Sequence, residues 1–291
     1  MNSESTYLAS DIIAEPLLLA HIVPRARLAV IGNPVAHSLS PVFQNAALRA
    51  CDIDASYIRI EAREENFFPL LHTLVELDFI GVNVTVPFKH LALAATPLLD
   101  ASARQARGAN TLLFSAGEMR AYSTDGIGLS RAIEEAWGHP LRDYTPAILG
   151  AGGGAGQAAV GQCIAEGCRE VFVLNRTREK LQVFEKSDRI KIADFSDLSH
   201  ADLIINATSL GLKSGDSAPL DTAHIRPGVK IFDMVYAKHP SALSQAALQA
   251  KAEYATGLAM LLHQGAAAFS IWFPQCTLPM AEMRAALKNT A

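Results

Sequence analysis

Apolar and polar positions along this chain repeat with two periods, and the changes of period divide the chain into strands and helices. Alternation at every second residue is typical of strands, and spacings of three and four residues are typical of helices. Strands that alternate with helices predict a mostly parallel sheet. In the first part of the chain the patterns predict strands over 27–31, 57–60 and 79–86, a hairpin joining 111–114 to 119–122, and helices over 40–50, 67–77, 100–107 and a stretch ending near Ala92.

A second unit is predicted to begin near Asp125, because the same rhythm of strands and helices starts again there. This rhythm is typical of a doubly wound nucleotide-binding domain. The last apolar segment, 258–272, is predicted to be a helix that packs back on the first unit. The remaining elements predicted in this part are strands over 147–149, 171–174, 203–205 and 231–232, and helices over 128–137, 154–166 and 179–185.

The predicted fold class is therefore α/β with two domains. The first domain comprises residues 1–125 and 258–291, and the second, Rossmann-like domain comprises residues 126–257. Residues 1–27 are interpreted as an extension ahead of the first strand, with a short helix near 12–21.

The composition of the chain indicates which classes of binding partner are expected. Hydrophobic residues make up 50% of the chain and charged residues 19%, which is enough apolar material for buried cores. The net charge is −4 and the sequence has no basic block, so nucleic acid and anionic membranes are not expected as partners. The uncharged stretches 144–165 and 254–281 are interrupted by glycine or proline, and we interpret them as buried elements of a water-soluble protein.

The cysteines and the N-terminal segment indicate the cellular compartment in which the protein is expected. The four cysteines lack the spacing of metal ligands, so no metal is expected and reduced thiols fit best. The first 27 residues carry no early positive charge and do not resemble a secretion signal. A cytoplasmic protein is therefore expected.

The segment 81–89 carries the first candidate chemistry. It begins with the alternation of a strand that has one buried face, and Pro87 has no N–H with which to continue a sheet. Asn83, Thr85 and Lys89 are thereby left near one strand end. An amide, a hydroxyl and an ammonium together suit a small polyhydroxylated acid, and the lysine is placed for proton transfer. An edge strand with a solvated lysine at its end explains the same pattern equally well.

A glycine-rich turn follows the predicted strand 147–149 and precedes a predicted helix. Residues 150–155 match the pattern GxGxxA, in which glycines allow a tight turn and the close approach of a pyrophosphate to the helix N-terminus. The candidate cofactor contacts here are Gly150, Gly152, Gly153, Gly154 and Ala155.

The end of the next predicted strand indicates which dinucleotide is bound. An NAD site usually carries an acidic residue there, whereas this chain has Asn175, Arg176 and Thr177, with Lys180 just beyond. Cationic side chains attract a 2′-phosphate, so the sequence favours NADP over NAD. A solvated cationic start of a helix is the alternative interpretation.

These motifs and several others, taken in order, make the chain resemble the shikimate dehydrogenase family from residue 30 to residue 272. One of them is Asn-Val-Thr-Val-Pro-Phe-Lys at 83–89. The resemblance implies reversible reduction of 3-dehydroshikimate to shikimate by NADPH, a step of the shikimate pathway towards chorismate and aromatic amino acids. The other matching segments are 32–34, 37–41, 110–111, 123–126, the glycine-rich turn, 175–177, 206–209, 233–236 and 257–265.

The resemblance also implies the site residues. Lys89 and Asp125 correspond to the catalytic pair of the family. A ketone oxygen gains negative charge when hydride reaches its carbon, and an ammonium stabilises that charge and donates a proton. Asp125 would orient Lys89, and either Lys89 or a water gives the final proton. The substrate contacts implied are Ser38, Ser40 and Tyr236 for the carboxylate and Asn83, Thr85, Asn110 and Gln264 for the ring hydroxyls, and the further cofactor contacts are Thr208, Ser209, Met234 and Gly257.

Several of these residues also have a purely structural interpretation. Ser40 is a plausible helix N-cap, Asn110 a turn residue, Gln264 a helix residue bonded locally and Tyr236 a core residue, while His37 is interpreted as structural. Two departures from the family pattern stand out. Ser123 occupies a position where the family usually has asparagine, and the approach to Asn110 over 107–110 is one residue shorter than usual.

Other functions are compatible with parts of the pattern. A quinate/shikimate dehydrogenase would share the catalytic pair but often uses NAD, which Arg176 and Thr177 disfavour. An aminoshikimate dehydrogenase differs only in the shape of the pocket. A catalytically silent metabolite sensor would be expected to lack Lys89 or Asp125, and methylenetetrahydrofolate dehydrogenases lack the serine and glutamine motifs. The expected partner is a small-molecule substrate, and the expected state is a monomer or homodimer.

Overall fold

The chain folds into two compact units, each built around its own sheet. The computed structural model describes residues 5–236 and 239–289, so residues 1–4 of the interpreted extension lie outside the described part. The first unit comprises Met1–Thr124 with Gln264–Ala291, and the second comprises Asp125–His263. Both sheets are mostly parallel, which confirms the α/β class.

The first unit contains a seven-stranded sheet. The strands are β1 (Thr6–Leu8), β2 (Ala26–Gly32), β3 (Ser56–Glu61), β4 (Gly81–Val84), β5 (Leu98–Leu99), β6 (Thr111–Ser115) and β7 (Glu118–Tyr122). Their order is β1-β3-β2-β4-β6-β7-β5, with β6 antiparallel to both of its neighbours and the other pairs parallel. The helices are α1 (Ala9–Ala14), α2 (Ser40–Ala50), α3 (Phe67–Glu76), α4 (Lys89–Ala94) and α5 (Ala101–Ala106), with 3-10 helices at Pro16–Leu19 and Glu64–Asn66.

Helical spacing explains how α3 covers this sheet. Phe67, Leu70, Leu71 and Leu74 recur at the spacing that lines one side of a helix, and all four are buried in the core of the first unit. Strand β4 is buried at every position, so it forms the centre of the sheet together with β2. The core therefore holds rigidly the strand from which the segment 85–89 leaves.

The N-terminal segment differs from its interpretation as an extension ahead of the sheet. Strand β1 pairs in parallel with β3, and α1 begins at Ala9. Ala9, Ile12 and Leu19 are buried in the core of the first unit. The expectation was wrong because a strand of three residues is too short to show a period in the sequence.

Two other expectations for the first unit need correction. The strand expected over 79–86 covers only Gly81–Val84, because the Phe88 N–H donates to the Thr85 carbonyl at 3.0 Å and turns the chain. The two-residue strand β5 was not expected. The hairpin of β6 and β7 and the helix α2 are confirmed.

The second unit contains a six-stranded parallel sheet in the order β10-β9-β8-β11-β12-β13, whose strands are β8 (Pro146–Leu149), β9 (Val171–Leu174), β10 (Ile190–Ile192), β11 (Leu203–Asn206), β12 (Lys230–Asp233) and β13 (Glu253–Thr256). This is the doubly wound order of dinucleotide-binding domains, in which the direction of winding reverses between β8 and β11. Ligands of such sheets bind at the carboxyl ends of the strands beside that reversal. The helices are α6 (Asp125–Trp137), α7 (Gly154–Glu166) and α8 (Ala242–Ala250), with 3-10 helices at Leu141–Asp143, Arg178–Phe184, Phe195–His200 and Thr222–His224.

The final helices return to the first unit, as expected. Helix α9 (Leu258–Trp272) contributes its residues from Gln264 onward to that unit, and α10 (Met280–Lys288) packs against α2. The Trp272 Nε1–H donates to the Leu112 carbonyl in β6 at 3.0 Å.

Two expectations for the second unit differ in detail. The helix expected over 179–185 is the 3-10 helix Arg178–Phe184, and α6 begins at Asp125 instead of residue 128. No helix formed by residues 5–236 and 239–289 is long and apolar enough to cross a membrane.

Candidate active site

Asn83 lies in β4 with its side chain buried in a dense set of hydrogen bonds. Its Oδ1 accepts from the Tyr57 hydroxyl at 2.8 Å, and its Nδ2 donates to the Asn110 carbonyl at 3.1 Å and to Thr111 Oγ1 at 3.0 Å. Both amide hydrogens therefore have acceptors, and one lone pair on Oδ1 is left for a ligand. A ligand hydroxyl would have to donate to Asn83.

Tyr57 of β3 is a site residue that the sequence did not reveal. Its side chain is fully buried, and its hydroxyl is within hydrogen-bond reach of Ser40 as well as Asn83. Burial raises the pKa of the Tyr57 phenol well above its usual value, although the Ser40 hydrogen bond and the charge of Arg59 act in the opposite direction. The phenol is therefore a fixed donor at neutral pH. A tyrosine in an apolar strand is typical of a buried core, so nothing in the sequence distinguished Tyr57 from an ordinary core residue.

The two serines of the predicted site lie at the start of α2. The N-cap position is Leu39, without a side-chain cap, so the N-cap interpretation of Ser40 is wrong. Ser38 takes the acceptor role instead, because its Oγ receives the Ser40 N–H at 3.3 Å. The Ser38 carbonyl accepts from Nε of the buried Arg59 at 2.9 Å. This contact ties the serine loop to β3.

Asn110 connects the sheet to α9 within the first unit. Its Nδ2 donates to Thr124 Oγ1 at 2.9 Å and to Gln264 Oε1 at 3.3 Å, and its Oδ1 accepts from the Thr124 N–H at 2.8 Å. Asn110 lies at a bend immediately before β6, and its backbone N–H and carbonyl bond to the Tyr122 carbonyl and the Val84 N–H. Asn110 thus fixes Thr124, the residue immediately before Asp125.

Lys89 is the first residue of α4 and its side chain is half-buried. The Lys89 carbonyl accepts from the Ala109 N–H at 3.0 Å, and a Cβ on Gly108 would lie 3.6 Å from that of Lys89. The shortened approach to Asn110 therefore passes directly beside Lys89. The first residue of a helix is where the backbone dipole favours an anion, so helix stability does not account for a lysine there.

Thr85 lies between the end of β4 and Lys89. Its N–H donates to the Ile31 carbonyl at 2.9 Å, and its methyl group packs over Gly32, where a Cβ would come within 2.4 Å of it. Its backbone position is fixed by these contacts. Within the first unit, the structure connects Ser40, Asn83, Asn110 and Gln264 by hydrogen bonds through Tyr57 and the β4–β6 ladder.

Asp125 and Tyr236 belong to the second unit. Asp125 is buried at the first residue of α6, where a carboxylate complements the helix dipole. Tyr236 follows β12 with a half-buried side chain, so it is not a fully enclosed core residue, and burial raises the pKa of its phenol.

The glycine-rich turn lies after β8, at the reversal of the sheet. Gly150 has a φ of +82°, and a Cβ there would lie 2.8 Å from Thr208 Cγ2. Gly153 is the N-cap position of α7, and no side chain among the described residues caps the helix, so the first amides of α7 are available to an anion. Gly154 faces open space and Ala155 is half-buried.

Gly156 is a second residue that the sequence pattern missed. A Cβ at this position would lie 2.3 Å from the Gly150 carbonyl oxygen and 2.6 Å from the Ala151 Cα. The close packing of helix on turn therefore depends on Gly156, one residue beyond the end of the GxGxxA match. The run of adjacent glycines concealed which glycine packs against the turn, because the motif can be aligned with this sequence in several ways.

The residues after β9 turn back on the glycine-rich turn. Asn175 Oδ1 accepts the Gly152 N–H at 3.2 Å, and Asn175 Nδ2 donates to the Thr177 carbonyl at 2.8 Å. The stem of Lys180 lies against Gly152, where a Cβ would be 2.6 Å from that of Lys180. Two cationic groups, Lys180 and the exposed Arg176, are thus available next to the turn.

Arg178, in contrast, has a partner. It forms an exposed ion pair with Asp194 at 2.9 Å. Within the described part of the chain, Arg176 and Lys180 form no ion pair.

The residues that follow three further strands of the second unit are the remaining candidate cofactor contacts. Thr208 and the exposed Ser209 follow β11, Met234 follows β12 and Gly257 follows β13. The Met234 N–H donates to the Asn206 carbonyl at 3.0 Å, and a Cβ on Gly257 would lie 2.2 Å from the Met234 carbonyl oxygen. With the glycine-rich turn and the cationic side chains, these residues fit a phosphate-bearing dinucleotide.

Among residues 5–236 and 239–289, no group of three His, Cys, Asp or Glu side chains is arranged to hold a metal ion. The four cysteines are free thiols.

Two family models match the chain. One is described as the shikimate dehydrogenase substrate binding domain and matches residues 30–112. The other is described as the shikimate 5'-dehydrogenase C-terminal domain and matches residues 257–288.

Individual proteins match over most of the chain. A protein of Magnetococcus marinus named shikimate dehydrogenase (NADP(+)) is 34% identical, over 84% of this chain and 90% of its own. A protein of the same name from Citrifermentans bemidjiense is 36% identical, over 84% of this chain and 88% of its own. The crystal structure of shikimate 5-dehydrogenase from Thermus thermophilus in complex with NADP(H) and shikimate has a TM-score of 0.83 at 31% identity, covering 91% of this chain and 100% of its own.

Proposed function

The chain belongs to the shikimate dehydrogenase family, and from this membership we propose that it catalyses the reversible reduction of 3-dehydroshikimate to shikimate by NADPH. The observation that carries the proposal is the identity of 34% and 36% to NADP-dependent relatives along 84% of the chain. The protein is thus an NADP-dependent oxidoreductase acting on a CH–OH group in the shikimate pathway, and the free thiols support a cytoplasmic location.

We assign substrate binding to a domain of residues 1–125 with 258–291. The hydrogen-bond arrangement around Asn83 and Asn110 supports this assignment, since it presents neutral amide and hydroxyl groups of fixed orientation. Such groups discriminate the hydroxyls of a small ring by the pattern of donors and acceptors. The residues proposed to contact the substrate are Ser38, Ser40, Asn83, Thr85, Asn110, Tyr236 and Gln264.

We assign the cofactor to a domain of residues 126–257. The uncapped amides at the start of α7 would receive the pyrophosphate, and Arg176 with Lys180 would receive the 2′-phosphate. Asn175, Thr177, Thr208, Ser209, Met234 and Gly257 complete the proposed contacts, with the glycine-rich turn. When bound, NADPH supplies the hydride.

The chemical step is assigned to Lys89 and Asp125. The Lys89 ammonium would stabilise the negative charge that develops on the substrate oxygen and would hold the proton that this oxygen takes up. The carboxylate of Asp125 would orient the ammonium and accept a hydrogen bond from the substrate. A positioned proton donor of this kind contributes on the order of 10²- to 10⁴-fold to the rate.

Reduction of NADP+ measured with shikimate, quinate and aminoshikimate tests the proposal. We expect turnover with shikimate and NADP+, with quinate and NAD+ both poorer. A preference for quinate or aminoshikimate would assign the chain to a related dehydrogenase. Absence of turnover in a protein that still binds shikimate and NADPH would contradict the proposal and favour a silent sensor.

A further inference from the structure

Asp233, the last residue of β12, carries a carboxylate that is buried inside the second unit and 1% exposed. Four donors surround it. Its Oδ1 accepts from Asn206 Nδ2 at 2.8 Å and from the Val235 N–H at 3.1 Å, and its Oδ2 accepts from the Tyr254 hydroxyl at 2.8 Å and from Ser241 Oγ at 3.5 Å. Each neighbour is placed as a donor, which is the arrangement that a carboxylate requires.

The carboxylate holds the Asn206 amide in one orientation, together with Thr208 on the other side. Asn206 ends β11, and its Oδ1 accepts both the Thr208 N–H at 3.0 Å and the Thr208 hydroxyl at 2.7 Å. The two ends of an amide have nearly the same shape, so hydrogen-bond partners decide its orientation. Because an ionised carboxylate only accepts and the Thr208 backbone N–H only donates, the nitrogen must face Asp233 and the oxygen must face Thr208.

Thr208 lies at the point where the sheet reverses. A Cβ on Gly150 would be 2.8 Å from its Cγ2, so Thr208 lies against the glycine-rich turn. Its Oγ1 also accepts the Leu210 N–H at 3.2 Å, and Asn206 Nδ2 reaches the Leu210 carbonyl at 3.4 Å. The orientation of one amide therefore sets the backbone of the loop 207–210 beside the proposed pyrophosphate site.

We propose that Asp233 is a positioning residue for cofactor binding, acting through Asn206 to hold Thr208 and the loop 207–210 in the geometry that receives NADP. The inference rests on the proposed function, which makes Thr208 a cofactor contact. It adds a residue that touches neither substrate nor cofactor.

The variant Asp233→Asn tests this role because it keeps the shape of the side chain. An asparagine presents either its oxygen or its nitrogen to Asn206, so the charge-assisted bond that holds the Asn206 amide is lost and only the contacts with Thr208 and Leu210 keep its orientation. We expect the Kd for NADPH, measured by fluorescence titration, to rise about tenfold, which corresponds to about 1.4 kcal/mol. The KM for NADP+ should rise similarly, with a smaller fall in kcat and an unchanged KM for shikimate.

Tyr254→Phe is the matched control. It removes a donor from the other carboxylate oxygen and leaves the contact between Asp233 and Asn206 in place. We expect a lower melting temperature and a Kd for NADPH within about twofold of the wild-type value. Thr208→Val provides a double-mutant cycle, and its effect on the Kd should not add to that of Asp233→Asn, since both act on the same contact.

Three results would overturn the inference. They are an unchanged Kd in folded Asp233→Asn, an equal loss of affinity in Tyr254→Phe, and additive effects in the cycle with Thr208→Val. If Asp233→Asn does not fold, Asn206→Ala removes the acceptor of Thr208 directly, and retention of wild-type NADPH affinity there would equally refute the inference. Failure of the wild-type protein itself to bind NADPH would refute the proposed function, so the two failures are distinguishable.

Discussion

The Tyr57 hydroxyl donates a hydrogen bond to Oδ1 of Asn83 over 2.8 Å, between two residues that are both buried in the first unit. Since Nδ2 of Asn83 donates to Asn110 and Thr111, the bond from Tyr57 fixes the oxygen end of the amide and leaves one lone pair for a ligand. The orientation of a proposed substrate contact thus depends on an aromatic residue in a different strand.

Removal of this donor should destabilise the protein. Tyr57→Phe leaves a buried acceptor on Asn83 unpaired, and we expect the free energy of unfolding to fall by about 1–3 kcal/mol, with a higher KM for shikimate. Urea unfolding and steady-state kinetics measure both effects. Tyr144→Phe is the matched control, because the buried Tyr144 hydroxyl has no hydrogen-bond partner among the described residues, so its loss should cost nothing. Equal destabilisation by the two variants would contradict this account.

The same phenol predicts a dependence of stability on alkaline pH. Burial raises the pKa of Tyr57 well above its usual value, so the folded protein holds this proton more tightly than the unfolded chain. Its contribution is complete below the unfolded pKa of about 10 and is lost as pH rises from there towards the folded pKa, by about 1.4 kcal/mol per pH unit. Unfolding measured from pH 8 to 11 should be less pH-dependent in Tyr57→Phe than in wild type. Parallel curves would show that Tyr57 does not titrate differently in the two states.

Lys89→Ala and Asp125→Asn should each lower kcat with shikimate by about 10²- to 10⁴-fold, since each removes part of one proton-transfer pair. The double variant should be little worse than either single variant, because residues that act as a unit are not additive. Binding of NADPH should be unaffected. His90→Ala, which changes the exposed neighbour of Lys89, is the control. Turnover that survives Lys89→Ala would exclude the assigned mechanism.

Cofactor preference should depend on Arg176 and not on Arg178. Arg176→Ala removes a cation that forms no ion pair with the described residues, and we expect the ratio of kcat/KM for NADP+ over NAD+ to fall by about tenfold or more. Arg178→Ala should change the ratio far less, because Arg178 is paired with Asp194. A ratio that is unchanged in Arg176→Ala would remove Arg176 from the 2′-phosphate site.

The glycine-rich turn should tolerate a methyl group at one position and not at another. Gly156→Ala places a Cβ 2.3 Å from a carbonyl oxygen, and the forced shift should cost about 1–3 kcal/mol or more. Gly154→Ala places its Cβ in open space and should leave the melting temperature of the cofactor-free protein unchanged or higher. Thermal unfolding of both variants checks this contrast, and equal losses would show that Gly156 does not set the packing.

The fold was predictable for most of the elements whose apolar residues repeat with a clear period. Helices α7 and α9 and strand β9 have the bounds that the sequence indicated. The elements that were not predicted include the short strands β1, β5, β10 and β13 and the helices α8 and α10. The segment after residue 178 was predicted as an α-helix, because a 3-10 helix there shares the apolar spacing of an α-helix.

The candidate site was predictable for residues that belong to motifs. Tyr57 and Gly156 lay outside the selected residues, because their roles depend on which strand or turn lies opposite. Ser40 shows the converse, since its sequence context predicted an N-cap, whereas in the folded protein it is the first residue of α2 and its own N–H donates to Ser38 Oγ. Sequence patterns identify functional residues that are close together along the chain, but they do not identify residues that are brought together from different strands of a sheet.

The division of α9 between the two units bears on how the protein is made. All of the second unit precedes residue 264, whereas the first unit needs residues from both sides of it. During synthesis the second unit can therefore complete its sheet while the first still lacks the partners of Asn110 and Leu112, namely Gln264 and Trp272. Until the ribosome releases those residues, the first unit lacks the hydrogen bonds that join α9 to Asn110 and Leu112, and this delay gives the nascent chain an order of assembly.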